Sequence, residues 1–234
     1  MCGRYTLTLT RPEIEQAFAP LADLPNDRIF AERFNISPTQ EVAALTRPKG
    51  GPIQGELMRW GLVPHWANDP DGAVKMINAR SETLEERPAY RNLIRTSSGR
   101  CLIPADGFYE WEGVKGSVKQ PWRFTVDDSS PFTFAGLCTT WEPTEGGTPL
   151  RSCTVITTEP NELVAPIHDR MPAILADPAA RDRWLSEDCD AAEAISLLVP
   201  LAADRMQAAR AARAVGKPGN EGRSLLEPEQ GGLF

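Results

Sequence analysis

Between residues 101 and 158 the chain breaks into five short runs with strand-like patterning, at 101–103, 107–114, 121–126, 132–140 and 151–158, each closed by turn-forming residues. None holds a 3.6-residue apolar period long enough for a helix, whereas two-residue alternation recurs throughout. Strands this short bury too little surface alone, so they have to pair with one another and curve around a shared core. Residues 4–10 alternate in the same way, and 41–46 and 56–63 read as two more strands around a turn at Lys49-Gly-Gly-Pro52. Helical signals are sparse. Thr10-Arg-Pro-Glu13 reads as a capping box with proline in the first turn, opening a helix to about Phe18. Ser81 with Glu82 and Glu85 starts a short helix, and Asp177-Pro178 starts one through Trp184. Residues 191–215, rich in alanine and arginine, read locally as helix. Residues 19–36 read as loop, and the tail from Gly216 as an irregular wrap or a disordered segment. The fold class that follows is α+β: one domain with a curved, barrel-like, mostly antiparallel sheet and flanking short helices.

A length of 234 residues and a hydrophobic content of 41% suit one large domain with a real core. No apolar run approaches the roughly 18 residues of a membrane span, and no secretory signal opens the chain. The five cysteines (2, 101, 138, 153 and 189) lack Cys-x-x-Cys spacing and mostly sit in apolar runs. They read as buried thiols in a reducing compartment, so a cytoplasmic protein is expected. With only His65 and His168 as histidines, no metal site and no cofactor is expected. A net charge of −7 argues against a surface that binds nucleic acid everywhere, but it leaves room for a local groove of arginines.

Four stretches set a polar group in an apolar or glycine-rich context: Cys2-Gly3-Arg4, Ile77-Asn78-Ala79-Arg80, Pro104 to Trp111, and Ile167-His168-Asp169-Arg170-Met171-Pro172. Removal of Met1 would turn Cys2 into a 1,2-aminothiol, with an amine of pKa about 7.7–8.0 beside a thiol of about 8.5. Such a pair condenses with an aldehyde, first to an imine and then to a five-membered thiazolidine. Without that cut, Cys2 is only a small residue at a terminus. In the run 107–112 alternation places Phe108, Glu110 and Glu112 on one face and Tyr109 and Trp111 on the other. Glu110 is then either a carboxyl raised in pKa by aromatic surface or a solvated strand residue above a buried face. His168 beside Asp169 is either an oriented acid/base or a surface cap, and Asn78 suits a turn or cap equally.

Together these segments resemble the SOS-response-associated peptidase (SRAP) family. The resemblance rests on MCGRYTLT, RFNISPTQ, RWGLVPHWA, INARSET, RCLIPADGFYEW, FAGLCTTW, CTVITTEPN, IHDRMPAIL and, more weakly, RAVGKPGNEG, in family order from residue 1 to about 222. It implies a domain over 1–222 with a tail at 223–234, and a sensor of abasic sites in single-stranded DNA, including single/double-strand junctions. In that reading Cys2, freed of Met1 by the protein's own peptidase activity, forms a thiazolidine crosslink with the ring-opened sugar, with lyase-type imine chemistry as a side path. Glu110 and His168 would move protons, and Asn78 would hold the open sugar and Cys2 in register. Arg4, Arg80 and Arg170 would contact phosphates, Trp66 would stack on a base, and Thr157 or Thr158 would donate to a phosphate. A monomer is expected. Three departures stand out: Ala67 follows Trp66 where the family often carries a second aromatic, 204–213 reads as helix where the family usually has a strand, and a net charge of −7 is acidic for a DNA binder. An N-terminal-nucleophile amidotransferase, which also begins Met-Cys-Gly, and a noncatalytic nucleic-acid binder are the competing readings.

Overall fold

A computed structural model of the chain describes residues 2–18, 31–70, 76–113, 118–144 and 146–227. In chain order the elements are β1 (Tyr5–Leu7), α1 (Arg11–Ala17), β2 (Arg33–Ile36), β3 (Glu41–Thr46), β4 (Gln54–Trp60) and β5 (Asn78–Arg80). After these come α2 (Arg91–Ile94), β6 (Arg100–Ala105), β7 (Gly107–Glu112), β8 (Gln120–Val126), β9 (Phe132–Trp141) and β10 (Leu150–Thr158). The last are β11 (Met171–Pro172), β12 (Ile174–Leu175), α3 (Pro178–Trp184), α4 (Ala191–Ser196) and β13 (Met206–Arg210). No helix among the described residues is long and apolar enough to cross a membrane.

Two sheets carry the fold. Pairing runs from β4 to β3, β6, β9 and β10, and β10 returns to β4 in parallel, with Ser152 opposite Arg59 and Cys153 opposite Trp60. That last contact closes a five-stranded mixed barrel and removes the free edges a flat sheet of short strands would expose. β5 adds to β10 in parallel, with Asn78 opposite Val155, while β11 and β12 pair with β10 and β9. The second sheet is antiparallel, in the order β13, β8, β7, β1, β2. The α+β expectation and the barrel-like curvature are therefore both realised.

The sheets meet on aromatic side chains. Tyr5 of β1 packs edge-on against Trp60 (5.4 Å between centroids) and Phe134 (5.5 Å), both from the barrel. Phe108 stacks on Phe124 at 5.0 Å within the second sheet and touches Phe134 across the interface. Such pairs add about 0.5–1.5 kcal/mol each beyond the apolar area they bury. Both faces of β7 are covered: Phe108 joins the main core, while Tyr109 joins a smaller cluster with Phe34, Ala211, Val215 and Leu225. Gly107 opens β7 where a Cβ would lie 2.6 Å from Arg123 Nε and 2.9 Å from Thr6 Oγ1, so a larger residue there would have to push the Arg123 guanidinium aside.

Two local expectations are corrected. Residues 33–36, read as loop, form β2, because pairing with β1 and burial of Phe34 and Ile36 outweigh the polar flanks. Helix over 191–215 survives only as α4; residues 206–210 form β13 against β8, with Met206 opposite Val126 and Arg210 opposite Trp122. Alanine and arginine favour helix locally, but the open edge of β8 supplies hydrogen-bond partners that decide the outcome. Of the predicted loop, 19–30 lies outside the described residues, as do residues 114–117 after β7. From 216 to 227 the chain wraps irregularly, with a 3-10 turn at Arg223–Leu226 that buries Leu225, and 228–234 lie outside the described residues.

Candidate active site

The pairing of β1 with β7 sets the site. Tyr5 lies opposite Phe108, and the Tyr109 N–H donates to the Arg4 carbonyl at 2.9 Å, so the chain approaching β1 is laid along β7. Cys2 is fully buried, with its Sγ 3.9 Å from the Arg4 carbonyl oxygen. Burial raises its thiol well above the usual range, and the nearby Glu110 carboxylate raises it further. Asn78 reaches the same segment from β5, its Nδ2 donating to the Cys2 carbonyl at 2.9 Å. The Asn78 Oδ1 is buried and has no hydrogen-bond partner among the described residues.

Glu110 is 2% exposed, which rules out the solvated strand residue. Loss of water around the ionised form lifts its carboxyl from the ordinary 4.5 to about 7. His168 stands across from it, Nε2 at 3.9 Å from Glu110 Oε2. Its loop is a helical turn: Asn161 Oδ1 accepts from the Leu163 and Val164 N–H groups, and the His168 N–H donates to the Val164 carbonyl. The imidazole Nδ1 lies 3.0 Å from the Arg170 N–H and 3.2 Å from the Arg170 carbonyl, so this backbone turn fixes the ring's orientation and leaves Nε2 facing Glu110. Desolvation holds the ring's pKa below its ordinary value, keeping it neutral near pH 7. Asp169, 3.1 Å from Nδ1, is placed to steady the ring when it does take up a proton.

Cys2, Asn78, Glu110 and His168 come from four separate parts of the chain and converge on one cluster. Beside it opens a cavity of about 500 Å³ lined by Asn78 together with Trp66, Met76, Arg80, Arg87 and Tyr90. Trp66 is half exposed, and its ring sits edge-on to His65 at 4.7 Å. Its loop is held by Trp141 Nε1, which donates to the Ala67 carbonyl at 2.7 Å. Arg80 is exposed on β5. Arg170 follows His168 but is already engaged: it grips Glu82 through two hydrogen bonds, at 2.6 and 2.9 Å, and donates to the Thr157 carbonyl.

Two of the expected residues are turned elsewhere. Thr157 is buried, and its hydroxyl faces the Ala79 carbonyl at 3.4 Å. Arg4 is buried against the smaller cluster, its guanidinium donating to Asn35 Oδ1 and to the carbonyls of Val215 and Gly216. Sequence reading passed over Arg87 and Tyr90, which line the cavity with Asn78 and Arg80. Nothing local marks Glu82 as the partner of Arg170, because 88 residues separate them. All five cysteines are free and buried.

The whole chain is similar to known proteins. The family described as SOS response associated peptidase (SRAP) matches residues 1–218. The abasic site processing protein YoaM of Bacillus subtilis is 41% identical over 230 residues, covering 98% of this chain and 99% of that protein. YedK of Escherichia coli, also named an abasic site processing protein, is 30% identical over 97% of this chain and 100% of its own length. HMCES of Xenopus tropicalis, with the same description, is 38% identical over 86% of this chain and 71% of that protein. A crystal structure of a Bacteroides thetaiotaomicron protein superposes with a TM-score of 0.85 at 25% identity, covering 97% of this chain and 99% of that one.

Proposed function

Because the chain belongs to the SOS response associated peptidase family, we propose that it processes abasic sites in single-stranded DNA by covalent capture through Cys2 once Met1 has been removed. An abasic sugar is mostly a closed hemiacetal. Glu110, near pKa 7, gives a proton to the ring oxygen as the anomeric hydroxyl loses one, and the aldehyde opens. The Cys2 amine attacks the aldehyde carbon to form a carbinolamine, and loss of water with acid assistance gives the imine. The thiol sulfur then adds to the imine carbon while its proton passes to nitrogen. Aldehyde and aminothiol become thiazolidine and water, with no oxidant required.

The observation that carries this reading is a buried, protonatable Glu110 beside both Cys2 and the neutral His168, in a cluster whose Asn78 also lines a cavity with Trp66, Arg80 and Arg87. His168 Nε2 passes protons to and from Glu110 or the sugar hydroxyls, and the Asn78 amide holds the Cys2 carbonyl while its open Oδ1 takes a sugar hydroxyl. Arg80, Arg170 and Trp66 would carry flanking phosphates and a base, at a single-stranded site or a single/double-strand junction. The same Glu110 and His168 would serve self-removal of Met1, and the imine is the branch point for lyase-type cleavage. The protein would act as a monomer in the cytoplasm.

The direct test incubates the protein with single-stranded DNA carrying one abasic site and then denatures the mixture. A shifted band that survives heat and SDS, and disappears with Cys2→Ser, is the expected result. No such band, or one that persists in Cys2→Ser, would sink the mechanism.

A further inference from the structure

We propose that Arg4 is a positioning residue that ties Cys2 to the C-terminal wrap, rather than a ligand for DNA phosphate. The proposal rests on the reading of Cys2 as the reacting residue. Residues 2–4 lie outside any regular strand, where a chain terminus ordinarily frays. The Arg4 side chain counters this two residues from the nucleophile. Nη1 donates to Asn35 Oδ1 at 2.8 Å and to the Val215 carbonyl, Nη2 donates to the Gly216 carbonyl at 3.3 Å, and the guanidinium lies over the Trp111 ring at 5.9 Å. The residue is only 9% exposed, and no carboxylate takes part in these bonds.

The receiving side is built to match. Asn35, fully buried, donates through Nδ2 to the carbonyls of Val215, Lys217 and Asn220. The Phe34 N–H donates to Glu221 Oε2 at 2.8 Å. Asn35 thus gathers the wrap from 215 to 220 and presents its carbonyls to Arg4. A phosphate could recruit this guanidinium only by displacing three hydrogen bonds from a group nine-tenths buried. The planar fork of arginine fits three acceptors held at fixed angles, whereas a lysine ammonium keeps the charge and loses the fork. Because covalent capture depends on sub-ångström placement of the attacking atoms, loosening this tie should slow the chemistry while leaving DNA binding alone.

The test compares Arg4→Lys and Arg4→Gln with the parent protein in three measurements. At saturating abasic DNA, the rate of covalent capture should fall about tenfold or more in both variants. Affinity for intact single-stranded DNA and its salt dependence should match the parent, since a lost phosphate contact would lower the salt slope by about 0.7. Alkylation of Cys2 by iodoacetamide, read by mass spectrometry of the N-terminal peptide, should speed up in both as the segment loosens. Asn35→Ala leaves the Arg4 charge in place and should reproduce all three effects. Capture at the parent rate, or weaker binding with a reduced salt slope in Arg4→Gln and normal binding in Arg4→Lys, would overturn the proposal. If the parent itself captures no DNA, the functional reading fails, whereas the alkylation result still decides whether Arg4 holds Cys2.

Discussion

The Nε2 atom of His168 lies 3.9 Å from Oε2 of Glu110, a neutral imidazole facing a carboxyl whose pKa is lifted to about 7. One group is held unprotonated and the other close to half-protonated at neutral pH. Proton transfer in either direction between them and a third molecule is therefore inexpensive.

That placement bears on stability. Between about pH 4.5 and 7 the folded protein keeps a proton on Glu110 that the unfolded chain has lost, so stability falls as pH rises through this window. Integrated, the loss is on the order of 3 kcal/mol above pH 7. Glu110→Gln removes it. Thermal melts should show the variant several degrees more stable than the parent at pH 8 and close to it at pH 4. An equal shift at both pH values would mean that burial of the charge is not what the site costs.

Capture rates should carry the same signature. Protonated Glu110 and an unprotonated Cys2 amine, of reference pKa about 7.7–8.0, are needed together, so the profile should peak between roughly pH 7 and 8. In Glu110→Gln the alkaline limb should flatten and the rate at the peak should drop by about 10²-fold or more. A parent profile that keeps climbing above pH 9 would exclude Glu110 as the acid.

Trp66 and Arg80 line the same cavity but should fail differently. Trp66→Ala should weaken binding of single-stranded DNA by about 1–3 kcal/mol with little change in salt dependence, because stacking is lost. Arg80→Gln should lower the salt slope by about 0.7, because one phosphate contact is lost. Titrations by fluorescence anisotropy at several salt concentrations separate the two.

Tyr5 offers a test of packing alone. Its ring is wedged between Trp60 and Phe134, but its buried hydroxyl has no hydrogen-bond partner among the described residues. Leaving a hydroxyl unpaired costs about 1–3 kcal/mol, so Tyr5→Phe should raise stability by about 1 kcal/mol in urea unfolding with an unchanged m-value. A destabilised variant would show that the hydroxyl is satisfied by water.

Much of this molecule is legible in the sequence. Alternation located β3, β6, β7, β8, β9 and β10 to within a few residues, since a two-residue period is a local property of the chain. It also put Glu110 on the same face as Phe108, away from Tyr109 and Trp111. Periodicity could not say that a second layer covers that face. That layer is the barrel, reached through Tyr5, Phe108 and Phe134, and burial in the assembled fold lifts the Glu110 carboxyl to about 7.

The sequence by itself determined the strand pattern, the candidate residues Cys2, Asn78, Glu110 and His168, and the family. Tertiary structure decided the rest. It turned 206–210 from a helix-favouring stretch into a sheet edge, because β8 had unpaired hydrogen-bonding groups to offer. It also paired Arg170 with Glu82 and set Arg4 among carbonyls more than 200 residues away. Charge and residue type travel with the chain, but desolvation and hydrogen-bond geometry exist only once distant segments meet. For that reason, an arginine that reads as a phosphate ligand in sequence lies in the fold with its guanidinium bonded to Asn35 and to the carbonyls of Val215 and Gly216.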